Sequence, residues 1–160
     1  MEMKPQIIYE MPKRYPVDGT FELTVRCNLH CKMCLFRHAD SENASIIKKE
    51  LTTEQWISMA DQAAEAGTIS LLITGGEPML RPDFCEIWEG IYKRGFLITL
   101  YTNGTLVNDK IMETLRKYPP HKIGITIYGA SPETYEKVCG DSKAYEKAVE
   151  GAHRLQTLPS

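Results

Sequence analysis

Cys27, Cys31 and Cys34 lie within the eight residues Cys27-Asn28-Leu29-His30-Cys31-Lys32-Met33-Cys34, a CxxxCxxC spacing. Three thiolates on one short loop hold a metal that takes three protein ligands and keeps a position open, whereas a closed structural site takes four. Thiolate is a soft donor, so zinc, copper(I) and iron–sulfur fit while magnesium and calcium do not. His38, four positions after Cys34, would complete a Cys3His zinc set. Spacing alone therefore leaves zinc and iron–sulfur open. The octet is mostly polar and lacks the pattern of a core element, which disfavours three merely buried thiols. Five cysteines is an odd number, and Pro5 and Pro12 break up the first thirteen residues, so neither a disulfide framework nor an apolar leader is expected. The thiols point to a reducing, cytoplasmic compartment.

Three further segments carry polar or glycine-rich signals. Gly75-Gly76-Glu77-Pro78 allows close backbone approach at its glycines and offers the Glu77 carboxylate to an ammonium group. Read blandly, it is a strand-to-helix turn with a first-turn carboxylate. Thr102-Asn103-Gly104 holds an Asn-Gly turn signal, and Thr126 sits in an apolar run where β-branched residues are ordinary. Together with the cysteines, these segments describe an amino-acid-like ligand beside a three-thiolate metal.

The elements that would position them alternate along the chain. Strands are predicted over 20–25, 69–74, 96–101 and 123–127, the last containing Thr126. Helices are predicted from Thr52 or Thr53 to Gly67, over 82–94, over 109–117 behind an Asn108 cap, and from Ser131 to about 155 with a break near Gly140. Residues 39–50 read as a polar loop, and 1–18 as an irregular lead-in with Pro5, Pro12 and Pro16. Short apolar strands, read as buried on both faces, alternating with amphipathic helices imply a parallel α/β sheet with right-handed crossovers. The cysteine loop, Gly-Gly-Glu-Pro, Thr-Asn-Gly and Tyr128-Gly129 each follow a strand, so all four fall on the edge where such folds bind ligands.

The Cys27-x3-Cys31-x2-Cys34 loop after one strand and Gly-Gly-Glu-Pro after the next resemble the radical S-adenosylmethionine (radical SAM) enzymes, from Phe21 to about Leu155. The resemblance implies four βα units of a partial (β/α)6 TIM-like barrel, incomplete at its C-terminal side, with residues 19–160 as a partial radical SAM domain. It implies a [4Fe–4S] cluster on Cys27, Cys31 and Cys34, with S-adenosylmethionine on the open iron. Reductive cleavage would yield a 5′-deoxyadenosyl radical that abstracts a substrate hydrogen. Gly75, Gly76 and Glu77 would meet the methionine amino group, with Asn103 and Thr126 nearby and Thr126 toward the ribose. Met33 stands where an aromatic residue often packs by adenine, and its thioether still suits a ring. A valine at Gly76 is expected to block the cofactor while sparing the cluster. No acid or base is assigned.

Glu22-Leu23-Thr24, Arg81-Pro82-Asp83-Phe84 and 128–135 (Tyr-Gly-Ala-Ser-Pro-Glu-Thr-Tyr) further resemble SPASM-type peptide and protein maturases. That implies a peptide or protein substrate and a flavodoxin- or ferredoxin-like reducing donor. Many relatives carry Ser-Leu-Asp-Gly where this chain has Thr126-Ile127-Tyr128-Gly129. The chain ends after the fourth unit, which reads as a fragment whose strand-four edge is open to self-association. The rival readings are a non-catalytic zinc module and a catalytically dead half-barrel. A net charge of −2 gives no phosphate-binding field, and no apolar run reaches the ~20 residues of a membrane span, so neither nucleic acid nor membrane is expected as a partner. Cys85 and Cys139 fall in helical segments and read as structural thiols.

Overall fold

The computed structural model describes residues 15–35 and 39–159; His38 and most of the lead-in lie outside them. The strands are β1 (Asp18–Glu22), β2 (Ser70–Thr74), β3 (Leu97–Thr102) and β4 (Lys122–Ile125). They form one all-parallel sheet in the order β1-β2-β3-β4, with Phe21 opposite Ile73, Ile73 opposite Leu100, and Leu100 opposite Ile123. The helices are α1 (Asn43–Ile47), α2 (Thr53–Glu65), α3 (Phe84–Tyr92), α4 (Asp109–Lys117), α5 (Pro132–Cys139) and α6 (Ala144–Leu155). Sequential strands as parallel neighbours, each joined by a helix, give the curling half of a βα barrel.

Local chemistry sets most boundaries. Thr52 caps α2 in a reciprocal capping box with Gln55, Asn108 Oδ1 accepts from Ile111 N at 3.0 Å to start α4, and Ser131 caps α5 ahead of Pro132. Residues 39–50, predicted as loop, contain α1 and a preceding 3₁₀ turn. Ser45 Oγ bonds Glu42 O at 2.8 Å and Glu42 takes the Ala39 N–H at 2.9 Å, and five residues are too few for periodicity to register.

The expected burial on both sheet faces is corrected. Leu71, Ile73, Ile98 and Leu100 point into a core with Trp56, Ala60, Phe84, Ile87, Trp88, Ile91, Met112 and Leu115, whereas Leu97 and Tyr101 on the other face are 47% and 48% exposed. Among the described residues the helices thus build the core against one face of the sheet, and the opposite face is left half-exposed. A second, smaller core of Leu29, Cys31, Tyr135, Cys139, Ala144 and Ala148 joins the cysteine loop to α5 and α6. Among the described residues no helix is long and apolar enough to cross a membrane.

Candidate cofactor site at the strand ends

The cysteine loop leaves β1 and docks on the end of α5. His30 N–H donates to Cys139 O at 3.0 Å and Lys32 N–H to Val138 O at 2.9 Å, which satisfies carbonyls left over where the helix stops. Cys31 is buried and lies against Tyr128 and Cys139, Cys27 is half-buried, and Cys34 and Met33 are exposed, Met33 at 61%. Among the described residues no three His, Cys, Asp or Glu side chains converge to ligating distance, so the loop thiols share one edge without meeting at one point. Burial pushes the Cys27 thiol up, and two donors oppose it, the Leu29 backbone N–H at 3.4 Å and Asn103 Nδ2 at 3.7 Å. Burial and Cys31 together push Cys139 up to about 12, which keeps it a protonated thiol.

Gly75-Gly76-Glu77 runs directly alongside the chain entering the loop. Gly76 N–H donates to Thr24 O at 2.7 Å and Glu77 N–H to Arg26 O at 2.9 Å. Gly75 has φ +144, and a Cβ there would collide with the Thr24 carbonyl; one on Gly76 would collide with the Arg26 carbonyl and lie 2.7 Å from Val25 O. The expectation that a side chain at Gly76 spares the cluster loop meets a steric obstacle, because the nearest atoms belong to the chain entering that loop. The glycines let two neighbouring strand ends press together, and a substituent would push on the residue next to Cys27.

Glu77 faces inward. It is fully buried, accepts from Met79 N–H at 3.0 Å and Asn103 N–H at 2.8 Å, and both its oxygens lie 2.9 Å from Thr102 Oγ1. Burial holds its carboxyl above the usual range while these donors pull it back. The carboxylate thus ties the β2 end to the β3 end. The β3 turn is pinned from outside as well, since Gly151 of α6 sits so close to the Gly104 carbonyl that a Cβ would not fit. Thr126 was predicted within strand four; it lies one residue past β4, exposed, its N–H still donating to Thr102 O at 3.2 Å. The ladder ends at Ile125 because that residue pairs with Thr102, the last residue of β3.

Several residues of the site carried no assigned role in the sequence. Arg26 grips Glu50 with two bonds of 2.8 and 2.9 Å, and the Thr24 hydroxyl donates to the same carboxylate. Arg81 lies 3.5 Å from Glu50, binds Asp83 at 2.7 and 2.9 Å, and donates to Leu23 O at 3.0 Å and Leu51 O at 2.9 Å. This network ties the root of the cysteine loop to the start of α2, and its cations hold the Glu50 and Asp83 carboxyls below the usual range against their burial. Glu50 sits in a segment read as loop, so nothing in its spacing marked it. Asn28 and Thr105 join Asn103 in a hydrogen-bonded cluster, which only the fold brings together.

A parallel βα sheet with a three-thiol loop on the carboxyl edge of its first strand is a fold that gathers soft donors at the edge where such sheets bind ligands. The chain belongs to the radical SAM superfamily, which it matches over residues 21–158. It is 35% identical over 136 residues to an AdoMet-dependent heme synthase of Methanosarcina barkeri, covering 85% of this chain and 38% of that protein. It is 33% identical over 141 residues to a PqqA peptide cyclase of Granulibacter bethesdensis, covering 88% of this chain and 37% of that protein. The chain therefore spans under two fifths of these relatives. Among solved structures it resembles Streptococcus suis SuiB bound to its precursor peptide SuiA, with TM-score 0.73, 19% identity, and coverage of 88% of this chain and 30% of that one. Native anSMEcpe with bound AdoMet gives TM-score 0.67 at 20% identity, covering 87% of this chain and 41% of that one. At such identities the structures show the shared fold.

Proposed function

We propose that the chain is the cluster- and cofactor-binding part of a radical SAM enzyme acting on a peptide or protein, with residues 19–160 as its partial domain. The observation that carries this reading is the stem of the three-thiol loop, Thr24 to Arg26, bonded backbone to backbone to Gly76 and Glu77 on the adjacent strand end. The donor set fits the group. Cys27, Cys31 and Cys34 are three soft ligands on one edge, and two N–H donors already aim at Cys27 Sγ, as metal-bound thiolates favour. When bound, the cluster and S-adenosylmethionine would supply a 5′-deoxyadenosyl radical for hydrogen abstraction. The protein's part is to hold three irons through Cys27, Cys31 and Cys34 and to leave the fourth free. The backbone carbonyls of Gly75 and Gly76 would receive the methionine amino group, the exposed Met33 would pack by the adenine, and the exposed Thr126 would serve the ribose. Glu77 holds the frame between strands two and three. A low-potential flavodoxin- or ferredoxin-like protein would deliver the electron, in a reducing cytoplasmic compartment.

The peptide assignment rests on the PqqA peptide cyclase relative and the likeness to SuiB with SuiA; the heme synthase of similar identity makes a tetrapyrrole the competing substrate class. Anaerobic reconstitution tests the core of the proposal. Iron and sulfide should enter as an oxygen-sensitive [4Fe–4S] species, lost in Cys27→Ala, Cys31→Ala and Cys34→Ala and retained in Cys85→Ala and Cys139→Ala. Tight zinc uptake that needs His38, without iron, would overturn it.

A further inference from the structure

The Asn103 side chain has one orientation open to it. The Thr105 backbone N–H, which can only donate, meets Asn103 Oδ1 at 2.9 Å, and the Thr105 hydroxyl donates to the same oxygen at 2.6 Å. Asn103 Nδ2 is thereby turned the other way, onto Asn28 Oδ1 at 3.0 Å and Cys27 Sγ at 3.7 Å. With Asn28 Oδ1 occupied, Asn28 Nδ2 faces Thr105 Oγ1 at 2.8 Å, which closes the ring. Every donor in it runs in one direction, and flipping either amide would set two N–H groups against each other. Glu77 fixes the main chain beneath by accepting the Asn103 N–H at 2.8 Å. Asn103 and Thr105 are 7% and 8% exposed and Asn28 is half-buried, so the ring lies largely out of solvent.

An Asn-Gly turn asks only for a glycine that tolerates positive φ, which Gly104 supplies at +76. Nothing in that turn requires an amide locked by two other side chains and aimed at a thiol. The ring's product is one oriented N–H on Cys27 Sγ, beside the Leu29 N–H that the loop already provides. Hydrogen bonds to the sulfurs of an iron–sulfur centre favour its electron-rich reduced state and raise its reduction potential.

We infer that Asn103, held by Asn28 and Thr105, is a redox-tuning residue: its Nδ2–H on the Cys27 sulfur raises the potential of a cluster bound there. This rests on the iron–sulfur reading above and assigns the Asn103 amide to a cluster ligand rather than to S-adenosylmethionine. The balance is simple. One electron enters from the low-potential donor, and the amide neither gains nor loses a proton.

The experiment is an EPR-monitored redox titration of the reconstituted chain with dithionite and mediators, without S-adenosylmethionine and without turnover. Asn103→Ala removes the donor; Asn103→Asp keeps the oxygen that Thr105 needs and removes the N–H. At the wild-type midpoint, each variant should show an oxidised-to-reduced ratio higher by about tenfold, a midpoint lower by about 59 mV for a one-electron couple. In wild-type protein carrying ¹⁵N only in asparagine side chains, electron–nuclear double resonance should detect ¹⁵N coupled to the reduced cluster. A wild-type midpoint in a variant of equal iron content would overturn the inference. So would the absence of ¹⁵N coupling in the wild type, which requires no variant to fold. Failure of the wild type to assemble any cluster would instead defeat the iron–sulfur reading, and this inference with it.

Discussion

Removing the Glu77 carboxylate should loosen the frame rather than only weaken cofactor binding. In Glu77→Ala, the backbone N–H groups of Met79 and Asn103 lose their acceptor inside a fully buried site. Each such orphan costs about 1–3 kcal/mol. The Thr102 hydroxyl loses less, because Met79 Sδ lies within reach at 3.8 Å. Set against the relief of no longer desolvating a carboxylate, the net loss is about 2–4 kcal/mol, or roughly 5–15 °C in Tm for a chain of this size. Urea unfolding of the metal-free chain, followed by tryptophan fluorescence, measures it directly. pH supplies an independent signature. Burial raises the folded carboxyl above its ordinary 4.5, so the folded state holds its proton longer than the unfolded state does. Stability from this group is therefore fullest below the unfolded value, falls as pH rises toward the folded value and then levels off. Glu77→Gln should lack that slope while still losing stability, because its amide nitrogen must face one of the three donors. An unchanged unfolding midpoint in Glu77→Ala, combined with weakened S-adenosylmethionine binding, would refute this reasoning and return the carboxylate to the cofactor.

Two further outcomes follow from the same geometry. Gly76→Val should lose its cluster as well as its cofactor, because the new side chain drives into the Arg26 and Val25 carbonyls just before Cys27; full iron content in this variant would show that the loop yields without harm. β4 is the last strand in the sheet order, and Ile123, Ile125, Leu155 and Leu158 line a groove of about 380 Å³ along it. An open apolar edge of this kind recruits another chain, so the 160-residue protein should self-associate with concentration in sedimentation experiments, whereas a monomer throughout would refute edge pairing.

Much of the architecture was legible because it is local. Thr52, Asn108 and Ser131 announce helix starts, and the strand–helix alternation leaves a parallel sheet as the economical answer. One-sided burial was not legible: β2 reads Ser-Leu-Leu-Ile-Thr, and Leu72 looks as much a core residue as Leu71, yet only Leu71 faces the helices and Leu72 is half-buried. α1 is shorter than the window in which helical periodicity shows itself. Where the sequence names residues, only the fold shows what each one touches.

The motif residues show why that distinction matters. Gly75 and Gly76 invite the thought that a ligand needs the room, yet the space a side chain would take is already filled by the Thr24, Val25 and Arg26 carbonyls. Glu77 invites the thought of an ammonium partner, yet its oxygens are engaged by Met79, Thr102 and Asn103. The segment following strand two thus grips the cysteine loop on one side and the end of strand three on the other. Through Asn103, that second grip reaches Cys27 again, 50 positions back from Glu77 in sequence. Three loops that each look like ordinary turns are joined into one hydrogen-bonded network by Glu77, Asn103 and Asn28. The Leu29 and Asn103 N–H groups on Cys27 Sγ are thus oriented by the fold itself, independently of anything bound at that edge.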